Sequence, residues 1–238
     1  MASGSFNRLK ALLLILMAIY YANLLVSGEQ YHLIGPRLAW LWLFAVGALI
    51  LMAGAYSLVR PEIAPSRDNA PAGARLWPLL LMAMPMALGT IIPARTLGAE
   101  ESGVAGIVTA LPRAQASRGL ISPEQRTTLD WAMAIYDKPE ASALDGEAAD
   151  VIGFVYRDSR MAADQFILAR VAVVCCVADA VAVGVVVQSN EGSRFAANSW
   201  ARVTGTFHSG TLGGKALPVL IADDVAPVQA PEPPYLYP

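Results

Sequence analysis

Two cysteines stand side by side in this chain, Cys175 and Cys176, and Asp179 follows three residues later. Neighbouring residues place their Cα atoms about 3.8 Å apart, whereas a relaxed disulfide needs about 4.4–6.8 Å between them. The pair is therefore not expected to cross-link the fold. Thiolate, carboxylate and imidazole groups together satisfy a tetrahedral ion, so these three residues and His208 predict a site for zinc or copper. Zinc is a candidate cofactor, but the sequence leaves the cofactor unknown.

The same residues also have simpler roles. A free cysteine often packs as a small hydrophobe, and a redox-sensing cysteine would need a lowered thiol pKa. Asp179 could end a strand by accepting nearby backbone amides, and His208 could be an exposed loop residue beside the glycines at 210–214. We expect the pair in a strand, where neighbouring side chains point to opposite faces. Both thiols could then reach one ion only at a bulge.

No catalytic constellation is predicted. Asp223 and Asp224 lie in a strand-like segment, where adjacent carboxylates face opposite sides and do not form a general acid and base pair. The sequence contains no phosphate-binding glycine loop, nucleophile elbow or HExxH helix. We therefore expect a protein that is not an enzyme.

The N-terminal third of the chain is strongly apolar. The whole sequence is 55% hydrophobic yet 15% charged, which fits a membrane anchor joined to a soluble domain. Uncharged runs at 11–27 and 38–59 are long enough for spanning helices, and a run at 76–92 contains two prolines. Residues 1–95 are thus predicted to form a transmembrane anchor of two or three helices, in which the third could span, re-enter or lie kinked.

Positive charges predict the orientation of this anchor. Arg8 and Lys10 precede the first run, Arg37 alone lies in the first loop, and three arginines lie in the second. The N-terminus and the second loop are therefore expected in the cytoplasm. Three spans place the C-terminal domain outside the cytoplasm, whereas two leave it inside. We expect a multi-pass protein of the cell membrane, in contact with lipid, with an extracytoplasmic domain.

Four residues are candidates for contact with a protein partner. Gly47 and Gly54 are seven residues apart, on one face of a helix, where small residues permit close approach of another helix. That helix could belong to a partner or to this chain. Arg157 and Arg170 could form a partner surface on the soluble domain, or pair with its acids. No charge lies within the apolar runs, so the chain lacks the ionisable site typical of a transport pathway.

Residues 96–148 have mixed polarity and are predicted to connect the anchor to the soluble domain. Ser122, Pro123 and Gln125 form a helix-start pattern, with a capping residue followed by proline at the first helical position. A helix is therefore expected at about 123–137. It would carry one apolar stripe made of Leu129, Ala132, Met133 and Tyr136.

Residues 149–228 show alternation with a period of two and many β-branched residues, which predicts five strands. We treat these strands as antiparallel. Their number and length favour an OB-like β-barrel, and Gly153 and Gly205 mark positions where a strand could bend. A β-sandwich is the alternative. Residues 229–238 are rich in proline and tyrosine and are predicted to form a stiff polyproline-type tail. The fold class is thus membrane α plus all-β.

Several motifs resemble the YcgQ-like membrane proteins of bacteria. They include Gly153-Phe-Val-Tyr-Arg157, Cys175-Cys-Val-Ala-Asp-Ala180, Ser199-Trp-Ala-Arg-Val-Thr-Gly205 and the terminal Pro-Tyr-Leu-Tyr-Pro. The resemblance extends over nearly the whole chain. It implies a subunit of a two-component permease, of a family often encoded beside a larger polytopic permease and sometimes near zinc-handling proteins. It implies no catalytic residue.

These observations predict a membrane-anchored accessory subunit whose β-domain binds the permease or a ligand. The alternative is a metal-binding or thiol-redox sensor at the membrane surface that uses the cysteine pair. An OB module that binds single-stranded nucleic acid is disfavoured, because the net charge is −2 and a phosphate backbone needs a basic surface.

Overall fold

The computed structural model describes residues 2–58, 72–92, 97, 125–157, 159 and 161–237. The chain divides into two compact units, Met1–Arg95 and Thr96–Pro238. Among the described residues, the first unit is helical, and the second contains one α-helix and all five strands.

The first unit contains three α-helices, which are α1 at Ala2–Ser27, α2 at Trp40–Leu58 and α3 at Ala72–Ile91. They consist largely of leucine, alanine and methionine, which are strong helix formers. Short 3₁₀ turns at Glu29–His32 and Pro36–Leu38 join α1 to α2. These turns reverse the chain, so α1 and α2 pack against each other as neighbours.

Two helices of this unit are long and apolar enough to cross a membrane, at Phe6–Ser27 and Pro36–Leu58. Large apolar side chains on them are exposed, for example Phe44 at 69% and Leu51 at 76%. The side chains of a core helix in a water-soluble domain are mostly buried, whereas these are exposed. The apolar part of α3, Trp77–Ile91, is shorter. Whether it spans stays a prediction.

The helix of the second unit, α4, extends over Thr128–Asp137 and not from about 123. Its cap is Thr127, whose side-chain oxygen accepts the Asp130 amide at 3.3 Å, while the Asp130 carboxylate accepts the Thr127 amide at 2.8 Å. This reciprocal capping box satisfies two amides that have no helical partner. The predicted start signals at Ser122 and Pro123 lie outside the described residues.

Five strands make up the sheet of the second unit, which confirms their predicted number. They are β1 at Ala148–Tyr156, β2 at Gln165–Ala172, β3 at Val181–Gln188, β4 at Trp200–Leu212 and β5 at Lys215–Pro227. The strands are rich in valine and other β-branched residues, which suit a pleated and partly buried surface.

The five strands form one mixed sheet in the order β1-β2-β3-β5-β4, and β1 also pairs with β4, so the order closes on itself. Four of the pairings are antiparallel, but β3 and β5 are parallel through Val186↔Val219 to Gln188↔Ile221. Treating all strands as antiparallel was therefore wrong for this pair. Local alternation predicts strands but carries no information on which distant strands become neighbours.

Glycine allows close backbone contacts where strands change direction. A β-bulge interrupts the β4–β5 pairing between Thr204 and Gly205. A Cβ added to Gly205 would lie 2.1 Å from the Ile221 carbonyl oxygen, and one added to Gly153 would lie 2.5 Å from the Ala169 carbonyl oxygen. Only glycine fits such approaches. Both glycines are therefore required where the sheet curves.

The core lies inside the closed sheet and beneath α4. Trp131 of α4 is fully buried and packs against Phe207 of β4, with ring centroids 4.8 Å apart. Phe166 of β2 and Leu220 of β5 belong to the same apolar cluster. Aromatic contacts of this kind stabilise a fold beyond the free energy gained by burying the rings. The helix thus packs its tryptophan on the sheet and fixes one side of the domain.

The proline- and tyrosine-rich tail packs back onto the end of β2. The Leu236 amide donates to the Val171 carbonyl at 2.8 Å, and the Val173 amide donates to the Leu236 carbonyl at 2.9 Å. Tyr235 is buried. The Arg170 guanidinium donates to the carbonyls of residues 233 and 234 at 3.3 and 3.0 Å. The tail therefore braces β2 immediately before the cysteine pair.

Candidate metal centre

The cysteine pair lies in the connection between β2 and β3, not within a strand. Strand β2 ends at Ala172, and β3 begins at Val181. A single 3₁₀ turn at Val177–Asp179 lies between them, directly after Cys176. The strand prediction for the pair was wrong. We call residues 173–180 the cysteine loop.

The carboxylate of Asp179 holds this loop in shape. Its Oδ1 accepts the backbone amide of Val174 at 2.8 Å, and its Oδ2 accepts the amides of Cys175 and Cys176 at 2.8 and 3.2 Å. Three amides that a strand would direct to a neighbouring strand are thus satisfied by one side chain. Acceptance of nearby amides is the alternative role that the sequence offered for Asp179. It explains why an apolar, strand-like segment forms a loop here.

The loop places both thiols on the same side of the backbone. The Sγ atoms of Cys175 and Cys176 are 3.7 Å apart, and a ligand atom from each cysteine and from Asp179 lies within 4.8 Å of the others. In an extended strand the two side chains would diverge. The Cys175 side chain is exposed, while Cys176 and Asp179 are half-buried. The three groups therefore form a compact donor set that opens to solvent.

Hydrogen bonding determines the protonation states of Cys175 and Asp179. The hydrogen bond between the Cys175 thiol and Asp179, with a smaller contribution from Cys176, raises the pKa of Cys175 to about 11. Burial raises the pKa of Asp179, but the Cys175 thiol and the three loop amides outweigh it, so the net shift is downward. At neutral pH the loop therefore holds a protonated Cys175 beside an ionised Asp179. A redox-sensing cysteine would need the opposite shift.

His208 does not join this donor set. It lies within β4, opposite Val219 of β5, and its side chain is exposed. The group of donor atoms that approach one another comprises Cys175, Cys176 and Asp179 and does not include His208. Its predicted place in a loop was wrong, since β4 continues to Leu212 and the turn is Gly213-Gly214.

Both arginines proposed for a partner surface make contacts within their own domain. Arg157 donates to the Gln165 carbonyl at 3.0 Å and to the Gly192 carbonyl. Arg170 is only 7% exposed and lies over the Trp200 ring, 5.2 Å from its centroid. Burial lowers the pKa of Arg170 to about 10, which still leaves it charged at neutral pH. Their role in partner binding stays a prediction.

The two glycines of α2 have open space beside them. A Cβ added at Gly47 or Gly54 would meet no atom within 4 Å. The contact between α1 and α2 includes Leu14 and Ala53 instead. Within the described part of the chain, these glycines are therefore not used for tight helix packing, and their use by a partner stays a prediction.

Sequence reasoning missed the contribution of the tail to this site. Leu236 pairs with the residues on either side of Ala172, directly before the cysteine loop. The sequence did contain a signal for this packing. Tyr235 and Leu236 are large apolar residues, which a tail exposed to solvent does not need.

Comparison with known families identifies a family for the C-terminal part of the chain. A family model described as the DUF1980 C-terminal domain matches residues 104–238, which is more than half of the chain. No curated protein matches the chain. The match includes the cysteine loop, all five strands and the tail.

Proposed function

Because this chain belongs to the DUF1980 family through its C-terminal domain, we propose that it is a membrane-anchored accessory subunit that presents a metal ion to a larger polytopic permease. The metal is zinc, held at the cysteine loop by Cys175, Cys176 and Asp179. The resemblance to the YcgQ-like membrane proteins supports the permease as partner. Catalysis is not part of the proposal.

The observation that carries this proposal is the donor set itself. Two thiols and one carboxylate lie within 4.8 Å of one another on a loop that is open to solvent. Thiolate and carboxylate are ligands that zinc takes in proteins, at about 2.3 and 2.0–2.2 Å. A pair of cysteines that served only as packing would be expected in the core, but Cys175 is exposed.

The strand order supports an OB-like barrel as the scaffold. Five strands close on themselves, and β3 lies parallel to β5 beside the long β4–β5 hairpin. Small five-stranded Greek-key barrels of the OB type often bind ligands through loops at one side. Such a scaffold would keep the cysteine loop in one place relative to the sheet.

The apolar helices support the anchor, and the open glycines support the partner contact. We place the partner's helix against Gly47 and Gly54, because small residues with free space beside them permit close approach. Since Arg157 and Arg170 are engaged within the domain, they are weaker candidates. Three spans and the positive charges near the N-terminus would place the domain outside the cytoplasm.

The first experiment measures metal in the purified protein. Full-length protein in gentle detergent is exposed to Zn²⁺, freed of excess by gel filtration and assayed for zinc per chain. We expect about one zinc ion for the wild type and loss of that ion in the double variant Cys175→Ser with Cys176→Ser. His208→Ala is the matched control and should retain it. Equal zinc in the wild type and the double serine variant would refute the metal site.

The second experiment tests the partner contact. Cross-linking in native membranes, followed by mass spectrometry, should identify a polytopic permease attached to the wild type. The variants Gly47→Leu and Gly54→Leu should lose it, because a side chain would fill the space that the partner's helix needs. Ala55→Leu, at an exposed neighbouring position on α2, is the control. Equal cross-linking in all of these proteins would contradict the placement.

The orientation has its own test. In a background with both cysteines changed to serine, Gln229→Cys introduces one thiol at an exposed position of the tail. A membrane-impermeant maleimide should label it from outside intact cells if three helices span. Labelling only after lysis would show that the domain is cytoplasmic.

One observation favours a second candidate function, a thiol-redox sensor. The two Sγ atoms are only 3.7 Å apart, so two-electron oxidation by a peroxide could join them, although a disulfide between neighbouring residues would be strained. The raised pKa of Cys175 counts against it, because the thiolate is the form that reacts. Mild peroxide should leave both thiols open to alkylation under our proposal, whereas rapid loss of both together would favour the sensor.

A further inference from the structure

The spacing of the thiols suits a tetrahedral ion. Two sulfurs bound at about 2.3 Å to a tetrahedral Zn²⁺ lie about 3.8 Å apart, whereas a linear arrangement with the same bonds needs about 4.6 Å. The observed separation between the Cys175 and Cys176 sulfurs is 3.7 Å. The two sulfur atoms thus already have the separation of two ligands of a tetrahedral ion.

Asp179 has little capacity left for a metal. An ionised carboxylate has about four lone-pair positions, and three of them accept the amides of Val174, Cys175 and Cys176. Asp179 can therefore give one bond to the ion and still hold the loop.

Within the described part of the chain, the donor set is one ligand short of a closed site. Among the described residues, the group of approaching donors contains two cysteines and one aspartate, while structural zinc sites have four protein ligands. The missing ligand would lie on the open side, since Cys175 is exposed. We infer that Cys175, Cys176 and Asp179 hold Zn²⁺ with one position open to a ligand from another molecule, which makes the cysteine loop a site for metal transfer. This inference rests on the proposed metal function.

Hydrogen bonds from two sources hold the loop in shape. Three amides donate to Asp179, and the tail pairs with Val173 at the start of the loop.

The experiment measures how zinc leaves the full-length protein in detergent. Zinc-loaded protein is mixed in a stopped-flow instrument with excess 4-(2-pyridylazo)resorcinol, a coloured chelator. If the chelator enters the open position before the ion leaves, the rate rises in proportion to chelator concentration, so a tenfold increase in chelator gives about a tenfold increase in rate. A rate that does not change with chelator concentration would overturn the inference, because the ion would then leave a closed site by itself.

A spectroscopic measurement tests the open position directly. Co²⁺ replaces zinc as a visible probe, and imidazole is titrated into the Co²⁺-loaded protein. Imidazole should shift the visible bands in a saturable way while both sulfur ligands stay bound, and His208→Ala should behave as the wild type does. Unchanged bands would overturn the inference but leave the metal site standing. A wild type that binds neither Zn²⁺ nor Co²⁺ would overturn both.

Discussion

Substitution of Asp179 by alanine is the sharpest test of how the cysteine loop is built. The change removes the acceptor for three backbone amides. A typical hydrogen bond contributes about 0.5–1.5 kcal/mol net, and because amides near the surface regain water, about 0.5 kcal/mol each is appropriate here. Three bonds then come to about 1.5 kcal/mol, or about tenfold in metal affinity. Groups that position metal ligands usually contribute 10- to 100-fold. Because Asp179 is also a proposed zinc ligand, we expect the loss to exceed the tenfold that the three hydrogen bonds give by themselves.

The assay is competition for Zn²⁺ between full-length protein and a chelator of known affinity, at one pH and one ionic strength. Asp179→Ala should bind about 10- to 100-fold more weakly than the wild type. Asp179→Asn should fall between them, because its single amide oxygen can accept two of the three amides while its NH₂ group would face the third. Asp223→Ala removes an exposed acid from the same domain and should bind as the wild type does.

Circular dichroism of each variant separates a local effect from unfolding. The cysteine loop is peripheral to the buried cluster around Trp131 and Phe207, so Asp179→Ala should keep the β-structure of the wild type. Zinc affinity within about twofold of the wild type, in a folded Asp179→Ala protein, would show that the three hydrogen bonds do not organise the thiols. The reasoning about this loop would then be wrong.

Three further predictions concern the scaffold. Gly205→Ala should lower the free energy of unfolding by about 1–3 kcal/mol, measured by denaturant titration, because its Cβ would lie 2.1 Å from the Ile221 carbonyl oxygen. Arg170→Met should speed hydrogen exchange of the tail amides, since two tail carbonyls lose their donor. The hydrogen bond from Arg202, together with the charge of its guanidinium, holds the pKa of Asp150 below 3.8, although burial acts in the opposite direction. The stabilisation from this ion pair is therefore present above about that pH and is lost as the pH falls through the lower pKa of the folded state. Thermal melts should show Asp150→Asn less stable than the wild type at pH 6, with the difference vanishing in strong acid.

Much of the strand structure could be predicted from local pattern, because alternation and β-branched residues depend on neighbours in sequence. The five strands predicted within 149–228 are found between Ala148 and Pro227. The parallel pairing of β3 with β5 could not be predicted this way. This pairing depends on where the β4–β5 hairpin lies relative to β3, and no local sequence pattern predicts that arrangement.

The cysteine loop shows why a strong local pattern can mislead. Valines at 171, 173, 174 and 177 read as a strand, but Asp179 captures three amides that the strand would need. The tail residue Leu236 pairs with the end of β2 from more than sixty positions away in sequence. One short polar side chain and one distant segment thus override the propensity of the run. The same two contacts bring together donor atoms that an extended strand would separate.

An exchangeable metal site gains from attachment to a membrane. A donor set with an open position binds its ion less tightly than a closed one, so in free solution an ion would be lost to any competing ligand before it met a particular partner. Tethering two components to one surface raises their effective concentration and favours transfer between them without any new contact. Under the proposed function, the exposed apolar helices and the exposed thiol of Cys175 would serve the same transfer. We therefore expect that cutting residues 1–95 from the domain slows delivery of zinc to the proposed permease far more than it weakens zinc binding.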